Sequence, residues 1–390
     1  MIRYITSGES HGKCLTSIIE GIPANVSIDI DEINKELKKR QSGYGRGGRM
    51  KIENDKVEIL SGVRGNITIG SPLAIQIINK DYENWANYMN PTGDIDRESK
   101  KVSHVRPGHA DLVGSLKYNF DDARNVLERS SARETASRVA VGAICKQILS
   151  KFNIDITSHV TQIGKVKLDR LYSFDYIKEK VDLSLVRCID EETERLMIEE
   201  IEKTKDAKDT IGGVIEVRVK NVPPGLGSYV HYDRKIDGHI AMNVMSIQAI
   251  KGVEIGIGFD VSSKNGSEVM DEIYYSEESG IYRNTNNLGG IEGGMTTGDE
   301  IIIRCAMKPI PTLYKPLNSI NMNTKENYKA TVERSDTCAV PACSIVCENV
   351  VSTVILNFFL EKFGNDDIED IKNNYNSYMN RLGERGWKNL

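Results

Sequence analysis

Behind Arg129, Ser130, Ser131, Ala132, Arg133 and Glu134 the chain has to turn into a helix, and this requirement constrains it more than any other stretch. Ser131 followed three residues later by Glu134 has the form of a capping box. Ala136, Val139, Ala140, Ala143 and Ile144 then recur at helical spacing, which predicts a helix over 132–149. Arginines at a helix start face the positive end of the macrodipole and a set of unpaired N–H donors, so Arg129 and Arg133 call for an anion between them. The run therefore marks a phosphate or carboxylate site.

The rest of the composition decides how local that site must be. Against 56 Asp and Glu the chain has 51 Lys and Arg, a formal charge of −5, which excludes bulk attraction to nucleic acid or membrane. Cations must be concentrated to act. No secretory pattern follows Met1, and the longest apolar run, Val350 to Leu360, is broken by Ser352, Thr353 and Asn357, so a soluble cytoplasmic protein is expected. The seven cysteines form no CxxC pair, and no His or Cys cluster joins Cys343 and Cys347, which predicts free buried thiols and no metal site.

Strands and helices alternate without a simple period. A hairpin is expected from Met1 to Thr6 and Leu15 to Ile19, then an amphipathic helix around Asp31, Ile33 and Leu37 ending in Lys38, Lys39 and Arg40. Short strands follow at Lys51 to Glu53, Val57 to Leu60 and Leu73 to Ile78, then a long polar loop over 81–102. Residues 169–209 have the charge and period of a helical surface excursion. Later elements are a strand at Val214 to Val219, a helix from Asp233 to Met245, strands at Val253 to Ile257 and Glu300 to Met307, a helix from about Pro341 to Lys362, and a charged tail at about 366–390. Ile22 and Pro23 before Asp31, Ile33 and Leu37 are echoed by Val222 and Pro223 before Asp233, Ile236 and Ile240, an echo that points to an internal duplication.

Two of the six histidines, His11 and His109, lie in turns crowded with glycine and polar residues, where backbone can approach a ligand and imidazole can move a proton near neutral pH. His104 shares the second turn, and His159, His231 and His239 read as structural. Arg40, Arg46, Arg49, Arg106, Arg129, Arg133 and Arg334 sit beside Gly, Pro or Ser in loops or helix starts, a pattern suited to one polyanionic small ligand. Lys308, Pro309, Ile310, Pro311 and Thr312 form a stiffened loop of similar promise. Neither a Walker A motif nor a GxGxxG turn between strand and helix is present.

Taken together, GESHG at 8–12, RPGHAD at 106–111, RSSARET at 129–135, KPIPT at 308–312 and RSD at 334–336 closely resemble the chorismate synthase family, and the match extends over nearly the whole chain. The resemblance implies one chorismate-synthase domain over 1–390, an α+β sandwich with helices between antiparallel sheets, and a homotetramer. It implies anti 1,4-elimination of phosphate from 5-enolpyruvylshikimate 3-phosphate, with a requirement for reduced FMN. By the same resemblance His11 gives a proton to the leaving phosphate, His109 protonates or stabilises the flavin near N1, and Asp336 cooperates with flavin N5 in taking the C6 proton. Arg129, Ser130, Ser131, Gln248, Ala249, Gly293, the loop from Lys308 to Thr312 and Arg334 match flavin positions. Arg40 and Arg46 match positions that contact NADP or substrate, and substrate is favoured for them together with Ser10, Arg49, Arg106 and Arg133. Departures from the family pattern are Val105, Gln248 and the pair Thr337 and Cys338.

Two other function classes compete. A bifunctional enzyme would also pass hydride from NADPH to FMN and would oxidise NADPH in air. A polyanion-binding module using the same arginines would bind with steep salt dependence and would not need His109.

Overall fold

The computed structural model describes residues 2–47, 54–330 and 335–388. It opens with β1 (Arg3–Ser7) paired to β2 (Cys14–Glu20), the expected hairpin, with Ile5 opposite Ile18. Asp29 then caps α1 (Ile30–Gln41) through the N–H groups of Asp31 and Glu32, and Lys38, Lys39 and Arg40 fill its last turn. β3 (Val57–Ser61), a small hairpin of β4 (Val63–Arg64) and β5 (Ile67–Thr68), and β6 (Leu73–Ile78) complete an antiparallel sheet of order β1-β2-β6-β3. The strand expected at Lys51 to Glu53 lies outside the described residues. Alternation sets the faces: Leu15, Ser17 and Ile19 on β2, and Leu73, Ile75 and Ile77 on β6, point inward and are buried.

The region expected as one long loop holds α2 (Tyr82–Met89), which its own aromatic residues stabilise; α3 (Asp111–Tyr118) and α4 (Arg124–Ser130) follow. A single 3-10 turn at Ala132–Glu134 then precedes α5 (Thr135–Ser150). β7 (Asp155–Ile163), β8 (Val166–Lys167), α6 (Phe174–Lys180), α7 (Glu191–Asp206) and β9 (Gly213–Lys220) come next, so the charged helical excursion is an insertion within a β7–β9 hairpin. Beyond lie α8 (Ile236–Met245), β10 (Ile250–Ile255), α9 (Gly266–Val269), β11 (Ile273–Ser276), β12 (Gly280–Arg283), β13 (Ile291–Glu292), β14 (Met295–Thr296) and β15 (Ile301–Met307). β16 (Asn318–Ile320) and β17 (Asn327–Lys329) form a separate hairpin, and α10 (Val340–Phe363) and α11 (Ile368–Glu384) end the chain. The second sheet has the order β10-β15-β9-β7-β8.

Between the sheets lies a helical layer. α5 packs on the first sheet and on α10, while α10 packs on β7 and β9 of the second. α10 is long and apolar enough to cross a membrane, yet it is almost wholly buried, the position of a core helix. The two helices touch at Gly142, where an added Cβ would sit 2.2 Å from the Asn349 carbonyl oxygen; Ser352 Oγ donates to the Gly142 carbonyl at 2.9 Å. The cost of burying Lys146 in this layer is offset by Glu36 at 3.0 Å and by Glu348.

The duplication expected from one echo is visible in the hydrogen bonding. Thr68 Oγ1 donates to the Pro23 carbonyl at 2.6 Å and accepts from Val26 N at 2.9 Å. Thr296 Oγ1 does the same to Pro223 at 2.7 Å and from Leu226 N at 2.9 Å. Each threonine ends a small hairpin, and the strand orders β1-β2-β6-β3 and β7-β9-β15-β10 correspond one to one.

Candidate active site

The run that opened the sequence folds differently from its expectation. Arg129 lies in the last turn of α4, the end that favours a cation, and not at a helix start. No capping box forms: Ser131 accepts from Arg133 N across the 3-10 turn. Glu134 turns instead to Thr6 Oγ1 at 2.8 Å, to Arg138 at 3.0 Å and to Gln248 Nε2 at 3.2 Å. Arg129 donates to the carbonyls of Thr6 at 2.8 Å and Gly8 at 3.2 Å, tying α4 to the turn that carries His11. Ser130 Oγ is occupied by the Val126 carbonyl.

The anion that Arg133 requires is supplied by the protein itself. Arg133 Nη1 donates to Asp55 Oδ2 at 2.6 Å and Nε to Asn79 Oδ1 at 2.9 Å. Arg40, enclosed beneath, reaches Thr135 Oγ1 and the Ala132 carbonyl, both at 2.9 Å, with Nη1 3.7 Å from the same Asp55 oxygen. Burial and the neighbouring Arg133 and Arg46, outweighing Asp55, pull the Arg40 guanidinium down to about 9. Arg46 Nη1 pairs with Asp336 Oδ2 at 2.8 Å, and the Gly47 N–H donates to Oδ1 at 2.6 Å. Gly45, at φ +84°, approaches Cys338 so closely that a Cβ would lie 3.0 Å from its Cβ; its carbonyl accepts from Thr337 N. Arg49 and Arg334 lie outside the described residues.

Asn79 joins this cluster to the first histidine. Its Nδ2 donates to the carbonyls of Gly12 at 2.7 Å and Glu9 at 3.1 Å. His11 N donates to Glu128 Oε2 at 2.7 Å, Nδ1 lies 2.9 Å from Oε1, and the ring stacks on Trp85 with centroids 4.0 Å apart. Ser10 is buried behind, its N–H donating to the Glu128 carbonyl. Burial alone would raise the Glu128 carboxyl, but the His11 contacts and Arg124 hold it below the usual range.

The second histidine has the same partner type. His109 Nδ1 lies 2.5 Å from Asp111 Oδ1, while Arg106 donates from Nε to Oδ2 at 2.8 Å and from Nη2 to Oδ1 at 3.0 Å. Despite full burial, these contacts hold Asp111 far below the ordinary carboxylate range. Arg106 Nη1 also donates to Thr312 Oγ1 at 2.9 Å, which brings the loop from Lys308 to Thr312 against the turn; the Ile310 carbonyl accepts from Thr210. Lys308 N donates to the carbonyl of Ala249, a non-glycine residue at φ +70°. Val105, where the resemblance led one to expect proline, is buried and its carbonyl accepts from Ser319 Oγ, so the β16–β17 hairpin holds that segment. Gly293 stands apart: its carbonyl accepts from Lys235, at the opposite end of α8 from Gln248.

His11, Arg133, Arg40, Arg129 and Gln248 thus share one hydrogen-bonded region, with Arg106, His109 and the 308–312 loop beside it. Sequence reasoning missed Asp55, Asn79, Trp85 and Glu128, whose significance arises through contacts far along the chain; Glu134 was read as a helix cap rather than as the partner of Thr6, Arg138 and Gln248, and Asp111 was inside a quoted motif whose spacing from Arg106 was a usable signal.

A family model described as chorismate synthase matches residues 2–360. A chorismate synthase of Alkaliphilus metalliredigens is 59% identical over 379 residues, covering 97% of this chain and 99% of that protein. One from Staphylococcus aureus is 55% identical over 375 residues, covering 95% and 97%. A crystal structure of chorismate synthase superposes with a TM-score of 0.79 at 43% identity, covering 98% of each chain. With paired histidines, arginines and carboxylates on this fold, and agreement along nearly its whole length, the chain belongs to the chorismate synthase family.

Proposed function

We propose that this protein catalyses anti 1,4-elimination of phosphate from 5-enolpyruvylshikimate 3-phosphate, yielding chorismate in the shikimate pathway, with reduced FMN as cofactor. The observation that carries the proposal is the pair of carboxylate-oriented histidines beside a dense arginine cluster in a net acidic chain. The described residues fit a flavin: Gln248 Oε1 is buried with no hydrogen-bond donor among them, an acceptor ready for a ring N–H. Lys308, lowered by burial and by Lys251 beside it, marks a cationic patch for an anionic group.

When bound, FMN supplies transient electron donation that eases C–O cleavage. The chain's own part is binding and proton handling. His11, with Nδ1 given to Glu128, presents Nε2 as the acid for the departing phosphate. His109, with Nδ1 given to Asp111, holds its transferable proton at Nε2. Asp336, held by Arg46 at Oδ2 and by the Gly47 N–H at Oδ1, retains a further lone pair on each oxygen to accept a proton. Among the described residues Arg129 has neutral oxygens as its partners, which leaves its charge for ligand phosphate or carboxylate, while Arg40 and Arg133 brace the floor of the site. Arg46 and Arg106 stand in ion pairs with Asp336 and Asp111, so either would meet substrate by giving up part of that pairing, and no observation favours an added NADPH-dependent flavin reductase activity.

A homotetramer is supported by the outer face of the first sheet, where Ile5, Ile18, Leu60 and Ile78 are 57%, 47%, 51% and 53% exposed. The decisive experiment is anaerobic phosphate release from 5-enolpyruvylshikimate 3-phosphate with reduced FMN. Release that depends on both supports the proposal, and none from folded protein overturns it.

A further inference from the structure

A carboxylate can only accept, so its placement dictates which imidazole nitrogen carries hydrogen. Glu128 has a fully buried side chain, and its Oε2 already accepts from His11 N at 2.7 Å. His11 Nδ1 lies 2.9 Å from Oε1 and 3.0 Å from Oε2, so Nδ1 must donate in the neutral ring as well as in the cation. Turning the ring over would take the nearest donor from the buried Oε1 and leave it Arg124 Nη1 at 3.4 Å. Trp85 on α2 closes one face of the ring, stacked at 4.0 Å and 24°, and is itself flanked by Arg124 at 5.3 Å and Lys100 at 5.2 Å. The charged groups facing His11 are therefore Glu128 and Arg124 from α4 and Asp81, whose Oδ2 is 4.0 Å from Nε2, with Lys100 beyond the indole.

We propose that Glu128 is the positioning residue of the acid: it fixes His11 as the Nδ1–H tautomer against the Trp85 platform, so that Nε2 alone exchanges the proton. The inference deepens the role of His11 proposed above and rests on it. Glu128 touches no reacting atom. The arrangement is the one in which a buried carboxylate sets the tautomer of a catalytic histidine. The indole also reports the charge on the ring, because a stacked imidazolium quenches its emission and the chain has only two tryptophans.

The test uses full-length protein labelled with 15N-histidine, with the His11 signal assigned by its loss in His11→Ala. Wild type should show protonated Nδ1 and unprotonated Nε2 in the neutral form, and Glu128→Gln should show appearance of the Nε2–H form. In steady state Glu128→Gln should lower kcat about 10²-fold with KM little changed, and Glu128→Asp should recover part of the loss. In a Trp387→Phe background, Trp85 emission should change when His11→Ala removes the stacked ring. An Nε2–H tautomer in wild type, or wild-type kcat in folded Glu128→Gln, overturns the proposal. If Glu128→Gln does not fold, the wild-type tautomer decides, and absence of the Nδ1–H form overturns the proposal. An Nδ1–H tautomer together with full phosphate release by His11→Ala supports the orientation and overturns the acid role.

Discussion

Asp111 takes hydrogen bonds from Arg106 Nε, Arg106 Nη2 and His109 Nδ1, and the backbone N–H of Arg106 adds a fourth at 3.1 Å. Replacing it by Asn keeps the shape but removes the charge and leaves an arginine and a histidine under-satisfied. Asp111→Asn is expected to lower stability by about 3 kcal/mol and kcat by roughly 10²-fold, read from chemical denaturation and anaerobic turnover. Because the folded-state carboxyl is held below its ordinary value, its contribution is present above the unfolded value and is lost as pH falls. At this scale the sequence was informative about which residues matter and silent about why. His11, His109, Arg106 and Arg133 were identifiable because glycine turns and motifs mark them. Glu128, Asp55 and Asn79 were not, because each acts on a residue 54 to 117 positions away. The electrostatic logic at Arg133 was sound, but its anion is Asp55, 78 residues distant.

At the level of elements, β9 shows how a sheet can bury charge on the face turned from the helices. Ile215, Val217 and Val219 point to the core, and Glu216 and Arg218 point the other way under the inserted helical segment. Glu216 Oε1 accepts from Arg218 Nε at 2.7 Å and lies 3.0 Å from Nε2 of His159 on β7. Burial would raise this carboxyl, yet His159 and Arg218 bring it down to about 2. A depressed carboxyl stabilises the fold above its unfolded value near 4.3 and loses that contribution as pH falls towards about 2. Thermal unfolding between about pH 5 and pH 3 should therefore fall less steeply for Glu216→Gln than for wild type, while at pH 7 the variant is less stable by about 3 kcal/mol. A variant as acid-sensitive as wild type would remove Glu216 from the account. α7 was legible in the sequence by its helical period, and β6 and α10 as sustained apolar runs. α2 was not, because it is only eight residues long, sits in a polar stretch and has no side-chain cap.

For the whole molecule, the helical layer lies between two sheets, and the first sheet leaves a row of isoleucines uncovered. If that face joins subunits, Ile18→Glu at its centre should lower the mass measured by sedimentation velocity without unfolding the chain; an unchanged mass would remove this face from any interface. The fold class was legible mainly through motif resemblance, since composition and periodicity gave only mixed helix and strand. The duplication was legible in a single proline-centred echo, and its full extent needed the pairing of strands, which no local pattern encodes. The matched threonine staples, Thr68 with Pro23 and Thr296 with Pro223, have one more consequence. A scaffold that repeats itself offers two equivalent places for every loop, whereas a substrate with one phosphate and a single direction of elimination has no such equivalence. The His11 turn joins the first two strands of one half, but the corresponding connection in the other half is lengthened into α6 and α7 and carries no matching histidine. Catalytic handedness here comes from what was grafted unequally onto two like frames.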